Sequence, residues 1–154
     1  MEELLAAVKK GDINTVARIA GNQKTTSHMI TLALLEALQS KKKAISEYLL
    51  TKTSPSFAIL YFVKNIGKYE DPDLIASNFL YLIEKRNIIL SFSEIMYMLL
   101  SLNKSNDRII SLFLDYFIYE ASLNDKQLEK LRNIAEKSLK GSLSADSIPI
   151  KKKL

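Results

Sequence analysis

Glu3-Leu4-Leu5-Ala6-Ala7-Val8-Lys9-Lys10-Gly11-Asp12-Ile13-Asn14-Thr15-Val16 is the stretch whose reading decides the fold. Leu4, Leu5 and Val8 recur at helical spacing, so the segment from Glu2 to Lys10 carries one apolar stripe. Gly11 can turn left-handed and stop that helix, and Asp12 can cap the next one. Ile13, Val16, Ala17 and Ala20 form the stripe of the second helix, which ends at Gly21. Helices this short are marginal in isolation and form only when packing buries an apolar face. A tight turn between two of them therefore predicts an antiparallel pair, and a chain of such pairs predicts an all-α protein.

The same phrasing continues along the chain. After the polar stretch Asn22 to Ser27, a helix is expected from about Met29 to Gln39, with Ile30, Leu34 and Leu38 stacked. Lys41, Lys42 and Lys43 make the next turn, and Ile45, Tyr48 and Leu49 follow at helical spacing. Ser54-Pro55 starts a helix running to Ile66 that is apolar nearly all round, and Gly67 ends it. A helix without a polar side belongs in a core or under a partner, so Phe62 is expected to be deeply buried. Asp71-Pro72 starts another helix, Ser91-Phe92-Ser93-Glu94 is a capping box, and later starts fall near Asn106 or Asp107 and Asn124 or Asp125. At least seven helices and no sheet are expected. Residues 1–141 read as one helical domain, and 142–154, which end Lys151-Lys152-Lys153-Leu154, as a disordered basic tail.

The unit from Glu3 to Val16 resembles the helix–turn–helix of an ankyrin repeat. Leu34-Leu35-Glu36-Ala37-Leu38, followed by Ile45 and Tyr48-Leu49-Leu50, repeats it about 30 residues later, near the period of such units. The resemblance covers the first third of the chain. The family's threonine–proline–leucine–histidine box is absent, and Ser27-His28-Met29-Ile30 stands where it would fall. An ankyrin-like or other α-solenoid stack and a compact multi-helix bundle therefore both remain open. The resemblance implies a binding scaffold rather than an enzyme.

Composition narrows the chemistry. With 154 residues, 47% of them hydrophobic, the chain can bury a core. The absence of cysteine removes disulfides, zinc–thiolate sites and thiol nucleophiles. No apolar run approaches the ~20 residues that span a bilayer, and the N-terminal segment lacks the pattern of a signal peptide. A cytoplasmic protein without membrane contact is expected. The Lys- and Ile-rich, cysteine-free composition fits a thermophilic source. The glycines, Gly11, Gly21, Gly67 and Gly141, stand singly, so no phosphate-binding loop exists. His28 is the only histidine and sits at a helix start, as a capping or surface residue. Glu70, Asp71 and Asp73 cluster where carboxylates favour a helix N-terminus. No catalytic residue, cofactor or metal is expected.

Charge is the remaining signal. The net charge is +5, and it is localised. From Lys24 to Lys68, seven lysines stand against Glu36 and Glu47 alone. Lys41, Lys42 and Lys43 share one inter-helix turn, and Lys9 and Lys10 approach the turn of the preceding pair. If the pairs stack in register these lysines form one basic edge, which Lys68 extends. Such an edge suits a protein partner with an acidic surface, or self-association through a complementary face. It also suits a nucleic-acid backbone, although the chain has few arginines for specific readout.

Overall fold

The computed structural model describes residues 1–101 and 107–138. Among them the chain forms nine α-helices, one 3-10 turn and no strand, as the caps and periods predict. It divides into two compact units. The first takes Met1–Phe62 and Glu70–Arg86, and the second takes Val63–Tyr69 and the described residues from Asn87 onward. The expected tail, 142–154, and the stop at Gly141 lie outside the described residues.

The first unit holds α1 (Glu2–Lys10), α2 (Ile13–Ala20), α3 (Ser27–Gln39), α4 (Lys43–Leu50), most of α5 (Pro55–Lys64) and α6 (Pro72–Lys85). α1 packs against α2 and α3, α2 against α4, and α3 against α4 and α6. The first helices of the two hairpins are thus neighbours, and so are the second helices. α3 is the central element, because Ile30, Thr31, Ala33, Leu34, Leu35, Ala37 and Leu38 are all buried. Ala33 and Ala37 let neighbours approach on faces that larger side chains would hold apart. Buried Thr31 keeps its hydroxyl satisfied through Thr53, at 3.2 Å.

Three expected boundaries shift. α3 begins at Ser27 rather than near Met29, because the Thr26 hydroxyl accepts from the Met29 N–H at 3.2 Å. α4 begins at Lys43, so the third lysine of the expected turn lies in the first helical turn. α5 ends at Lys64 and passes into the 3-10 turn Ile66–Lys68 instead of running to Ile66. The apolar helix α5 is also not enclosed on all sides. Ala58, Ile59, Phe62 and Val63 are buried, but Phe57 is 42% exposed.

The second unit contains the 3-10 turn and α7 (Phe92–Ser101), α8 (Asp107–Glu120) and α9 (Asp125–Ser138), with α7 against both α8 and α9. Ile95, Leu99, Phe113, Phe117, Leu128 and Leu131 are buried there. The capping box before α7 is reciprocal. The Ser91 N–H donates to Glu94 Oε1 at 3.0 Å, and the Glu94 N–H donates to Ser91 Oγ at 3.2 Å. Asn124 and Gln127 build the same box before α9, at 3.1 and 2.8 Å. Ser91→Ala removes the acceptor of the Glu94 N–H, one of the helix-end N–H groups that have no partner within the helix. It is expected to lower stability in denaturant titration by about 1 kcal/mol.

Candidate interaction site

The α1–α2 and α3–α4 turns of the first unit have the same backbone. At the end of α1, Gly11 is left-handed with φ +77°, its N–H donating to Val8 O at 3.0 Å and the Asp12 N–H donating to Ala7 O at 2.9 Å. At the end of α3, Lys41 is left-handed with φ +59°, its N–H donating to Leu38 O at 3.4 Å and the Lys42 N–H donating to Ala37 O at 2.9 Å. Lys41 thus occupies the place of Gly11, and Lys42 the place of Asp12.

The replacements differ in what they do locally. Asp12 caps α2: its carboxylate accepts from the Thr15 N–H at 3.2 Å and from the Thr15 hydroxyl at 2.5 Å. The Thr15 hydroxyl holds the Asp12 carboxyl below the usual carboxylate range, helped by the backbone bond and by the charges of Lys10 and Arg18. Lys42 has no acceptor to offer and leaves α4 without a side-chain cap. Lys41 adopts a conformation that favours glycine, because a Cβ there crowds the following carbonyl. The second turn is therefore built from less favourable residues than the first. Lys41→Gly is expected to raise stability by about 0.5–1 kcal/mol, the relief of left-handed strain exceeding the extra freedom of the unfolded chain. Thermal unfolding by circular dichroism measures it.

The turns stand side by side. A Cβ placed at Gly11 would lie 3.7 Å from Lys42 Nζ and 4.0 Å from its Cδ and Cε, so the Lys42 stem lies across the first turn. Lys9 and Lys10 are exposed in the last turn of α1. Lys9, Lys10, Lys41, Lys42 and Lys43 are thereby brought to one edge of the first unit. Among the described residues none of the five has a carboxylate partner, whereas Lys85 pairs with Glu47 at 3.0 Å and Arg18 with Glu3 at 2.9 Å. The Glu47 hydrogen bond holds the Lys85 ammonium above its ordinary pKa. Lys68 is exposed on the 3-10 turn, which belongs to the other unit.

A cleft of about 100 Å³ opens beside Lys41 and Lys43. Buried Ala37, Leu38 and Leu82 form its floor, and Tyr81, 54% exposed, stands at its rim. The Lys43 ammonium lies 5.9 Å from the Tyr81 ring centroid, within range of a cation–π attraction. Two further polar residues of the lining are engaged internally. Asn78 Nδ2 donates to Leu38 O at 2.9 Å, tying α6 to the end of α3, and Ser46 Oγ donates to Lys42 O at 2.9 Å.

Tyr81 and Asn78 escaped the sequence reading. They lie about 40 positions from the lysine turn, and nothing in one chain's periodicity pairs α6 with that turn. The only available sign was a tyrosine off the apolar stripe of its helix. The other candidates resolve locally. Asp71 Oδ1 accepts from the Leu74 N–H at 3.1 Å and caps α6. The His28 ring sits edge-on to Tyr61, centroids 5.2 Å apart. Among the described residues no three His, Asp or Glu side chains are grouped to hold a metal ion, and no helix is long and apolar enough to cross a membrane. Against known proteins, the chain matches no family model, no curated protein and no solved structure.

Proposed function

We propose that the protein is a non-catalytic interaction module that presents its stacked helix pairs, as an ankyrin-like scaffold does, and holds an acidic surface of a protein partner against the edge formed by Lys9, Lys10, Lys41, Lys42 and Lys43. The observation that carries this reading is the exchange of Gly11-Asp12 for Lys41-Lys42 in two turns of one geometry. The exchange gives up a relaxed left-handed glycine and a helix cap for two cations that have no carboxylate partner among the described residues. A lysine held at a positive φ and a helix left without a side-chain cap are local costs, and such costs support a functional role for the turn. Lysine acts here as a point charge, so the edge draws its partner by long-range field more than by bidentate bonds.

The test reverses Lys41, Lys42 and Lys43 together to glutamate. With the helix content unchanged, capture of the partner from a lysate of the native host is expected to be lost. Association of the unmodified protein should slow as salt shortens the screening length, ~8 Å at physiological ionic strength. A titration with single-stranded oligonucleotide at low and moderate salt runs beside it. Capture that survives the reversal sinks the proposal, and log-linear salt-dependent binding of the oligonucleotide replaces it with a nucleic-acid function.

A further inference from the structure

We infer that the cleft beside Lys41 and Lys43 is the specificity pocket of this edge, and that its occupant is a short acidic segment of a protein partner carrying a single aliphatic side chain between carboxylates. This rests on the reading of the edge as a protein-binding surface and adds what the edge selects.

Size sets the first limit. Cofactor and drug-sized ligands need pockets of roughly 300–1,000 Å³. An engineered apolar cavity of about 150 Å³ holds a benzene. The cleft, at about 100 Å³, admits one small apolar body, of the order of a valine or leucine side chain. Its chemistry sets the second. Ala37, Leu38 and Leu82 offer an apolar floor, and the Ser46 hydroxyl and the Asn78 amide each already make a bond within the protein. A ligand in the cleft thus meets mostly carbon below, with the Asn78 amide beside it, and ammonium groups at the rim.

Charge complementarity sets the third. Lys41 and Lys43 have no carboxylate partner among the described residues, and both line the cleft. A carboxylate on either side of the seated aliphatic group would meet them. Lys43 lies over Tyr81, and Tyr81 is exposed enough to close over the aliphatic group from the side. A phosphate backbone would satisfy the lysines but would leave the apolar floor unfilled, so the cleft favours peptide over nucleic acid. The glutamate of the nearby Glu47–Lys85 pair is already engaged.

A random-peptide display library selected on the intact chain tests the inference. The expected enrichment is an aliphatic residue flanked by aspartate or glutamate. The best selected peptide is then synthesised with a fluorescent label and titrated by polarisation. Replacing its aliphatic residue with glycine should weaken binding about tenfold or more, as loss of a pocket-filling anchor does. Tyr81→Ala and Lys43→Glu, both exposed positions, should each weaken it comparably while leaving the melting curve intact. Peptides whose binding depends on Lys43 but not on the aliphatic residue or Tyr81 overturn the pocket and leave the basic edge standing. No enrichment of acidic peptides, together with oligonucleotide binding or with self-association through this face that Lys43→Glu abolishes, overturns both.

Discussion

Phe62→Ala is expected to lower unfolding stability by about 3–5 kcal/mol. Phe62 has no exposed surface, and the alanine would leave a ring-sized void that a close-packed interior refills only in part. Against a total of roughly 5–15 kcal/mol for a natural domain, such a loss is a large share of the whole. The same helix supplies the control. Phe57 lies five residues earlier, near the opposite side of α5, and is 42% exposed. Phe57→Ala should change stability by less than about 1 kcal/mol. Guanidinium titration of both variants, with the denaturant slope checked for constancy, separates the two. Equal and small effects would mean that α5 turns its whole surface to solvent in the free protein, contrary to the burial of Ala58, Ile59 and Phe62.

The fold was legible where signals are local. Caps at Asp12, Asp71 and Ser91 fell where a short polar side chain precedes an apolar period, and each is seen bonded to the N–H three residues on. The left-handed stop at Gly11 was legible for the same reason. Lys41 was not, because nothing in its side chain announces a positive φ; the conformation is imposed by the hairpin that α3 and α4 form. The central role of α3 was also hidden. Its sequence looks less apolar than that of α5, but its alanines admit neighbours on more sides, and burial follows packing rather than hydropathy. Of the candidate site, the lysines could be read from charge alone. The cleft could not, since Leu38 and Asn78 meet through an α3–α6 contact that periodicity does not encode.

Gly11→Val is the second large effect, about 2 kcal/mol or more of stability, and its cause differs in kind from that at Phe62. Nothing is hollowed out. At φ +77° a β-branched side chain is strained by its own backbone wherever its methyls point. Those methyls must also share space with the Lys42 stem, whose nearest atoms would lie 3.7–4.0 Å from the new Cβ. That spacing is ordinary contact for one carbon, so a Cβ alone adds little crowding. Three substitutions divide the causes. Gly11→Asn adds a side chain that tolerates the left-handed region and should cost least. Gly11→Lys copies the second turn and should cost about 0.5–1 kcal/mol, the amount that Lys41→Gly is expected to return. Gly11→Val adds branching and should cost most, and it alone should push Lys42 aside, weakening the edge for its partner beyond what the loss of stability explains. Thermal melts of the three, read beside partner affinity, decide the matter. If valine proves as mild as asparagine, the first turn is not held left-handed, and the equivalence of Gly11 with Lys41 on which the basic edge is argued falls with it.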